Sequence, residues 1–201
     1  MIKSRMEEII DPEAVTTDDK DEIVIKLPRP IINNDLIISI DEDIEEPSNY
    51  RKVFEALRSA KEGDISYLNI NSFGGYICTM AQFFHFLLNT KAHTVANVFT
   101  AYSAASVIAL CCDEINISQF GSIMVHSMST GTYGKISDVE GYSKFALKQD
   151  KDIADTVYQG FLTKAEIIET NKGKEFWMNK KECDSRLKNY KTVKQRFLNK
   201  K

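Results

Sequence analysis

The chain has 201 residues and a net charge of −3, with 43% hydrophobic and 27% charged residues. These values are ordinary for a globular protein, and the weak negative charge gives no reason to expect nucleic-acid binding. No apolar run reaches the ~18 residues of a membrane span, and the first residues lack the apolar stretch of a secretory signal. The four cysteines follow neither a zinc pattern nor a disulfide framework, which favours a reducing, cytoplasmic environment.

Residues 1–34 are charged and hold three of the four prolines, which predicts an N-terminal extension with at most one strand, at "EIVIKL". From residue 35 onward, short β-branched stretches alternate with helical ones, so the sequence predicts an α/β fold. Strands are expected at Asp35–Ile40, Ile65–Ile70 and His93–Phe99, followed by two short strands in "EINIS" and "SIMVHS". The helices between them are predicted in "EEPSNYRKVFEALRSAKEG", "YICTMAQFFHFLLN" and "SAASVIALCC".

The composition changes after Gly134, where residues 138 to about 170 lack proline and favour one long amphipathic helix. A helix of that length extends ~45 Å, more than one small domain can cover, so apolar residues such as Val157 and Phe161 are expected to contact another subunit. A last short helix is predicted from Trp177 onward, and residues 188–201 form a basic, solvated tail.

Hydrolysis by acyl transfer requires a nucleophile, a base and donors for an oxyanion. The stretch "TAYSAASV" offers two serines, Ser103 and Ser106, at the start of a helix whose first amides are unpaired. Gly74-Gly75 turns the chain from a strand into the next helix, so the amide of Gly75 is a candidate second donor. We expect that the group approaching this turn is a substrate carbonyl or its oxyanion.

The base is expected to be one of three histidines. His126 ends the apolar strand "SIMVH" and leads into a polar loop, a favourable place for a catalytic side chain. His85 lies inside a predicted helix between phenylalanines, and His93 begins a strand. An acidic group would be needed to orient the imidazole.

Five motifs occur in order along the chain: "LNINSFGGYI", "AYSAASVIAL", "IMVHS", "GKISDVE" and "EFWMNKKEC". From Asp35 to Leu187 they resemble the Clp protease proteolytic subunit, and more closely its phage-encoded relatives used in head maturation. The resemblance implies a Clp protease/crotonase-like fold of repeated β-β-α units over residues 35–187, with a protruding handle helix at about 138–170.

The resemblance also implies roles for individual residues. It puts the nucleophile on Ser103, with Ser106 as the alternative, the base on His126 and the acid on Glu175. The amides of Gly75 and Ala104 would form the oxyanion hole. No metal and no cofactor is implied.

By this resemblance the protein is a serine endopeptidase that cleaves extended polypeptides inside a homo-oligomeric ring, a heptamer or a double ring. Head maturation in a phage would place it in the host cytoplasm, and an AAA+ ATPase is a candidate partner, with no role for nucleic acid or membrane. Phe73, Phe99 and Tyr102 depart from the family's glycine- and proline-containing turns. A catalytically inactive structural ring is therefore the alternative, whereas the spacing of Ser103 and His126 disfavours a crotonase-type enzyme without a Ser–His pair.

Overall fold

The computed structural model describes residues 15–17, 23–25 and 35–198. Residues 1–32 are one unit, in which strand β1 (Val15–Thr17) pairs antiparallel with β2 (Ile23–Ile25), the segment expected to be a strand. The rest of the predicted N-terminal extension, 1–34, lies outside the described residues. Residues 33–201 are the second unit.

A five-stranded sheet forms the centre of the second unit. Its strands are β3 (Leu36–Ile40), β4 (Ile65–Ser72), β5 (His93–Tyr102), β6 (Glu114–Val125) and β7 (Phe176–Asn179), arranged in that order. The first four strands are parallel, whereas β7 runs antiparallel beside β6. Because parallel strands end at the same edge, the segments after β4, β5 and β6 meet there. The mixed α/β architecture is confirmed, although the two short strands expected before residue 127 are one strand, β6.

Helices connect and cover the strands. They are α1 (Arg51–Ser59), which follows a 3-10 turn at Pro47–Tyr50, then α2 (Ile77–Asn89), α3 (Ala104–Cys111), α4 (Ile136–Val157), α5 (Lys164–Thr170), α6 (Lys180–Leu187) and α7 (Val193–Leu198). Every residue of α3 is buried, because its small and apolar side chains leave no polar face. No helix in the described part of the chain is long and apolar enough to cross a membrane.

The single helix predicted over about 138–170 is two helices, α4 and α5. The chain turns between them at Gly160, whose φ of +88° interrupts a right-handed helix, and Thr163 begins α5 in a capping box with Glu166. The expectation that Val157 and Phe161 contact another subunit was also wrong, since each is 1% exposed and belongs to the core of the chain itself. The large apolar side chains that α4 does expose are Ile136, Tyr142, Phe145 and Leu147.

The C-terminal part differs from the sequence prediction in two ways. The predicted helix was to begin at Trp177, but Phe176–Asn179 form strand β7 and the helix begins only at Lys180. The segment predicted as a solvated tail packs back on the fold up to α7. Val193 is fully buried, the Tyr190 hydroxyl donates a 3.1 Å hydrogen bond to the carbonyl of Leu110, and Lys194 forms a 2.9 Å ion pair with Asp113.

Candidate active site

Ser103 and His126 lie at the ends of neighbouring parallel strands. Ser103 is the residue between β5 and α3, and His126 directly follows β6. The distance from the Ser103 Oγ to the His126 Nε2 is 2.7 Å, a hydrogen bond. When Nδ1 carries the imidazole proton, Nε2 is free to accept the proton of the serine hydroxyl.

The backbone of Ser103 takes an uncommon conformation. Its φ is +53° and its ψ −124°, and among the described residues it is the only non-glycine residue with a positive φ. Such a conformation costs a side-chain-bearing residue on the order of 1–3 kcal/mol. The sharp turn between strand and helix thus carries strain at the residue whose hydroxyl contacts the histidine.

Glu175 lies on the other side of the imidazole. Strand β7 pairs Phe176 with Val125, so the residues next along each strand, Glu175 and His126, are neighbours. The Oε1 of Glu175 is 3.9 Å from the His126 Nδ1, which is longer than a hydrogen bond. Its Oε2 accepts a 3.1 Å hydrogen bond from the indole Nε1 of Trp177. The carboxylate is about half exposed, so the three predicted side chains are brought together with one direct hydrogen bond between them.

The chain itself makes the close approach at the glycine pair. A Cβ added to Gly74 would lie 2.7 Å from the Cβ of Ser103, and one added to Gly75 would lie 2.1 Å from the carbonyl oxygen of Ile44. Both glycines have positive φ values, +108° and +144°. The glycines are therefore required for packing against the chain, and the sequence expectation of an approaching substrate did not identify these neighbours.

The amides of Gly75 and Ala104 border the same small cavity. Ser103 and His126 line it too, and its volume is about 140 Å³. Within the described residues neither amide donates to an acceptor of the protein, and Ala104 is the first residue of α3. Two unpaired amides beside a serine hydroxyl form the arrangement that stabilises an oxyanion.

Ser106 is in a different position from Ser103. It is fully buried, and its Oγ donates a 2.7 Å hydrogen bond to the carbonyl oxygen of Ser103. Its hydroxyl also lies 3.1 Å from that of Tyr158, whose pKa burial raises to about 12, so the phenol stays neutral. Ser106 thereby supports the backbone of the strained turn, and Tyr158, 52 residues further on, carried no sequence signal that could have revealed this contact.

Two of the three unusual residues contact each other. The rings of Phe73 and Tyr102 are 5.6 Å apart, so the bulky residue in the glycine turn packs on the bulky residue before the serine. Phe99 is the residue that both neighbouring strands skip, between Val98 and Thr100, and its side chain is half exposed. It therefore occupies a bulge, where a side chain is tolerated.

An apolar groove adjoins the cavity. Its volume is about 530 Å³, and it shares Ile77, Met80, Val107 and Ile153 with the wall of the cavity. The other two histidines lie outside both: His93 is 3.7 Å from Glu114, and the ring of His85 contacts Phe86 on α2.

The site can be compared with known families. A family model described as Clp protease matches residues 21–186, more than four fifths of the chain. The matched segment contains every residue of the candidate site, namely Gly74, Gly75, Ser103, Ala104, Ser106, His126 and Glu175. A comparison with curated proteins returned no match.

Proposed function

Because the chain belongs to the Clp protease family, whose members are peptidases and generally of the serine type, we propose that it is a serine endopeptidase with Ser103 as nucleophile. The observation that carries the proposal is the 2.7 Å hydrogen bond between the Ser103 Oγ and the His126 Nε2. Ser106 lacks such a partner and is buried, which favours Ser103 over the alternative.

In this mechanism His126 takes the hydroxyl proton as the Ser103 Oγ attacks the peptide carbonyl. The carbonyl oxygen, now an oxyanion, accepts hydrogen bonds from the amides of Gly75 and Ala104. The imidazolium then gives its proton to the leaving amine, and water hydrolyses the acyl-enzyme by the reverse sequence. Glu175 stabilises the imidazolium, which carries its charge only while the reaction proceeds.

The substrate we propose is an extended polypeptide. The apolar groove that adjoins the cavity suits a large apolar side chain beside the scissile bond. Family members typically form oligomeric rings, and we extend this to a homo-oligomeric ring, a heptamer or a double ring, with α4 as its handle. A role in phage head maturation and an AAA+ ATPase partner belong to the same proposal and rest on the resemblance of the motifs alone.

A fluorophosphonate probe followed by intact-mass measurement tests the proposal. The wild-type protein should gain one adduct, and His126→Ala should lose labelling and peptide hydrolysis while remaining folded. Activity should fall in acid, because a protonated imidazole cannot accept the serine proton. Undiminished hydrolysis by the His126→Ala variant would contradict the mechanism.

The second candidate function is a structural ring without catalysis. The observation in its favour is the 3.9 Å separation between Glu175 and His126, which leaves the imidazole without a hydrogen-bonded acid. A wild-type protein that forms rings but takes up no probe at any pH would favour this function.

A further inference from the structure

Trp177 is the hydrogen-bond donor that holds the carboxylate of Glu175. Its indole Nε1 donates to Oε2 at 3.1 Å, and the other oxygen, Oε1, is the atom that faces His126. The described part of the chain offers the Glu175 carboxylate no other hydrogen-bond donor. One oxygen of the carboxylate is thus fixed by the indole, and the second is left for the imidazole.

The indole is itself held in place from two directions. The backbone of Trp177 pairs with Met124 in the sheet, and Met124 pairs with Tyr102 on the opposite side of strand β6. The rings of Tyr102 and Trp177 meet edge to face at 5.0 Å between centroids, and the Tyr102 hydroxyl is hydrogen-bonded to the Ser122 Oγ at 2.8 Å. An aromatic residue directly before the nucleophile therefore supports the indole that holds the acid.

We propose that Trp177 is a positioning residue that keeps the Glu175 carboxylate against His126. This inference rests on the proposed function. A half-exposed glutamate next to a strand can adopt several rotamers, and the imidazole has a counter-charge only in those that keep Oε1 near Nδ1. The indole N–H restricts this freedom, so that Oε1 stays within reach when the imidazolium forms. The nearby charged groups have other contacts: Lys174 lies over the Phe176 ring, and Asp150 accepts the amide of Met128.

The kinetic test compares Trp177→Phe with the wild-type protein, because phenylalanine keeps a ring but removes the N–H. Since the imidazolium forms only during the reaction, we expect a fall of about tenfold in kcat with KM unchanged, less than the ~10²-fold cost of a 1 Å misplacement. In a Glu175→Gln background the Trp177→Phe change should have no further effect. An equal loss in both backgrounds, or a loss in KM alone, would overturn the positioning role.

A second measurement does not require activity. The chain holds one tryptophan, so its intrinsic fluorescence reports on Trp177. We expect the emission of Glu175→Gln to differ from that of the wild-type protein at neutral pH, because the indole N–H loses its charged acceptor. Identical emission spectra of the two proteins would refute the contact. If the spectra differ but the wild-type protein takes up no fluorophosphonate, the contact stands and both the proposed function and the positioning role of Trp177 fail.

Discussion

Gly75→Ala perturbs the backbone of the candidate site without changing any polar side chain. The added Cβ would lie 2.1 Å from the carbonyl oxygen of Ile44 and 2.7 Å from its amide nitrogen. Both atoms belong to the backbone, so neither can swing aside as a flexible side chain would. The φ of +144° at Gly75 adds strain for any residue with a side chain.

The size of the effect follows from these distances. Real Cβ atoms essentially never come closer than 3.0 Å, so the turn or Ile44 must move by at least about 0.9 Å. Two hydrogen bonds tie the turn to Ile44, from the Ile44 amide to Gly74 at 2.6 Å and from the Tyr76 amide to Ile44 at 2.8 Å. A shift of ~1 Å in a catalytic group costs up to ~10²-fold, and a lost oxyanion donor costs ~10²–10³-fold. We expect kcat to fall about 10²-fold.

Hydrolysis of a fluorogenic peptide gives kcat and KM, while circular dichroism shows whether the variant is folded. Gly141→Ala is the matched control, because Gly141 lies on α4 and a Cβ there would meet nothing within 4 Å. The control should keep wild-type kcat. A folded Gly75→Ala variant with wild-type kcat would refute the assignment of the Gly75 amide to the oxyanion hole.

Three further predictions concern the nucleophile, a partly exposed ion pair and the assembly. Fluorophosphonate labelling should vanish in Ser103→Ala and persist, more slowly, in Ser106→Ala; the reverse result would make Ser106 the nucleophile. The hydrogen bond from Arg186 lowers the pKa of Glu166 from 4.5 to about 2, so its stabilisation is full above pH ~4.5 and lost as the pH falls towards ~2. Glu166→Gln should therefore lower the unfolding free energy by about 1–2 kcal/mol at neutral pH, allowing for solvent screening, and by much less near pH 2 in urea titrations. Phe145→Lys, at a side chain 60% exposed on α4, should shift light scattering towards smaller species, whereas an unchanged mass would exclude this face from the interface.

The parts of the site that depend on local sequence were predictable. His126 follows the apolar run Ile123–Val125, and Ser103 precedes a run of small apolar residues, so each element could be assigned from its own neighbours. Their proximity follows from the parallel order of β5 and β6, which the alternation of strands and helices indicated.

Contacts between distant segments were not predictable from pattern. The composition of "WMNKKECDSRLKN" predicts a helix from Trp177, although the aromatic pair Phe176-Trp177 favours the strand that forms there. Its antiparallel pairing with β6 is what brings Glu175 to the imidazole, and only the family resemblance indicated that residue. The break between α4 and α5 was missed because one glycine, Gly160, ends a helix that the surrounding composition would continue.

The conformation of Ser103 helps to distinguish an enzyme from a structural ring, because it lowers the stability of the folded chain. A serine at a helix N-terminus normally accepts a hydrogen bond from the first-turn amides, worth ~1 kcal/mol, but the Ser103 hydroxyl makes no such cap and faces His126 instead. Its positive φ adds strain that glycine would not have. A turn that served packing alone would gain nothing from the missing cap or from the strained φ. Both are expected if the Ser103 hydroxyl must face a base and a substrate. Ser103→Gly should therefore abolish labelling and leave the unfolding free energy unchanged or raise it by up to ~1 kcal/mol in urea titrations, because relief of the strain offsets the entropy of glycine in the unfolded chain. Ser106→Gly, at a buried helical position with normal φ, is the control and should destabilise the protein. If Ser103→Gly destabilised the protein as much as this control does, the turn would serve packing and the structural ring would be the favoured function.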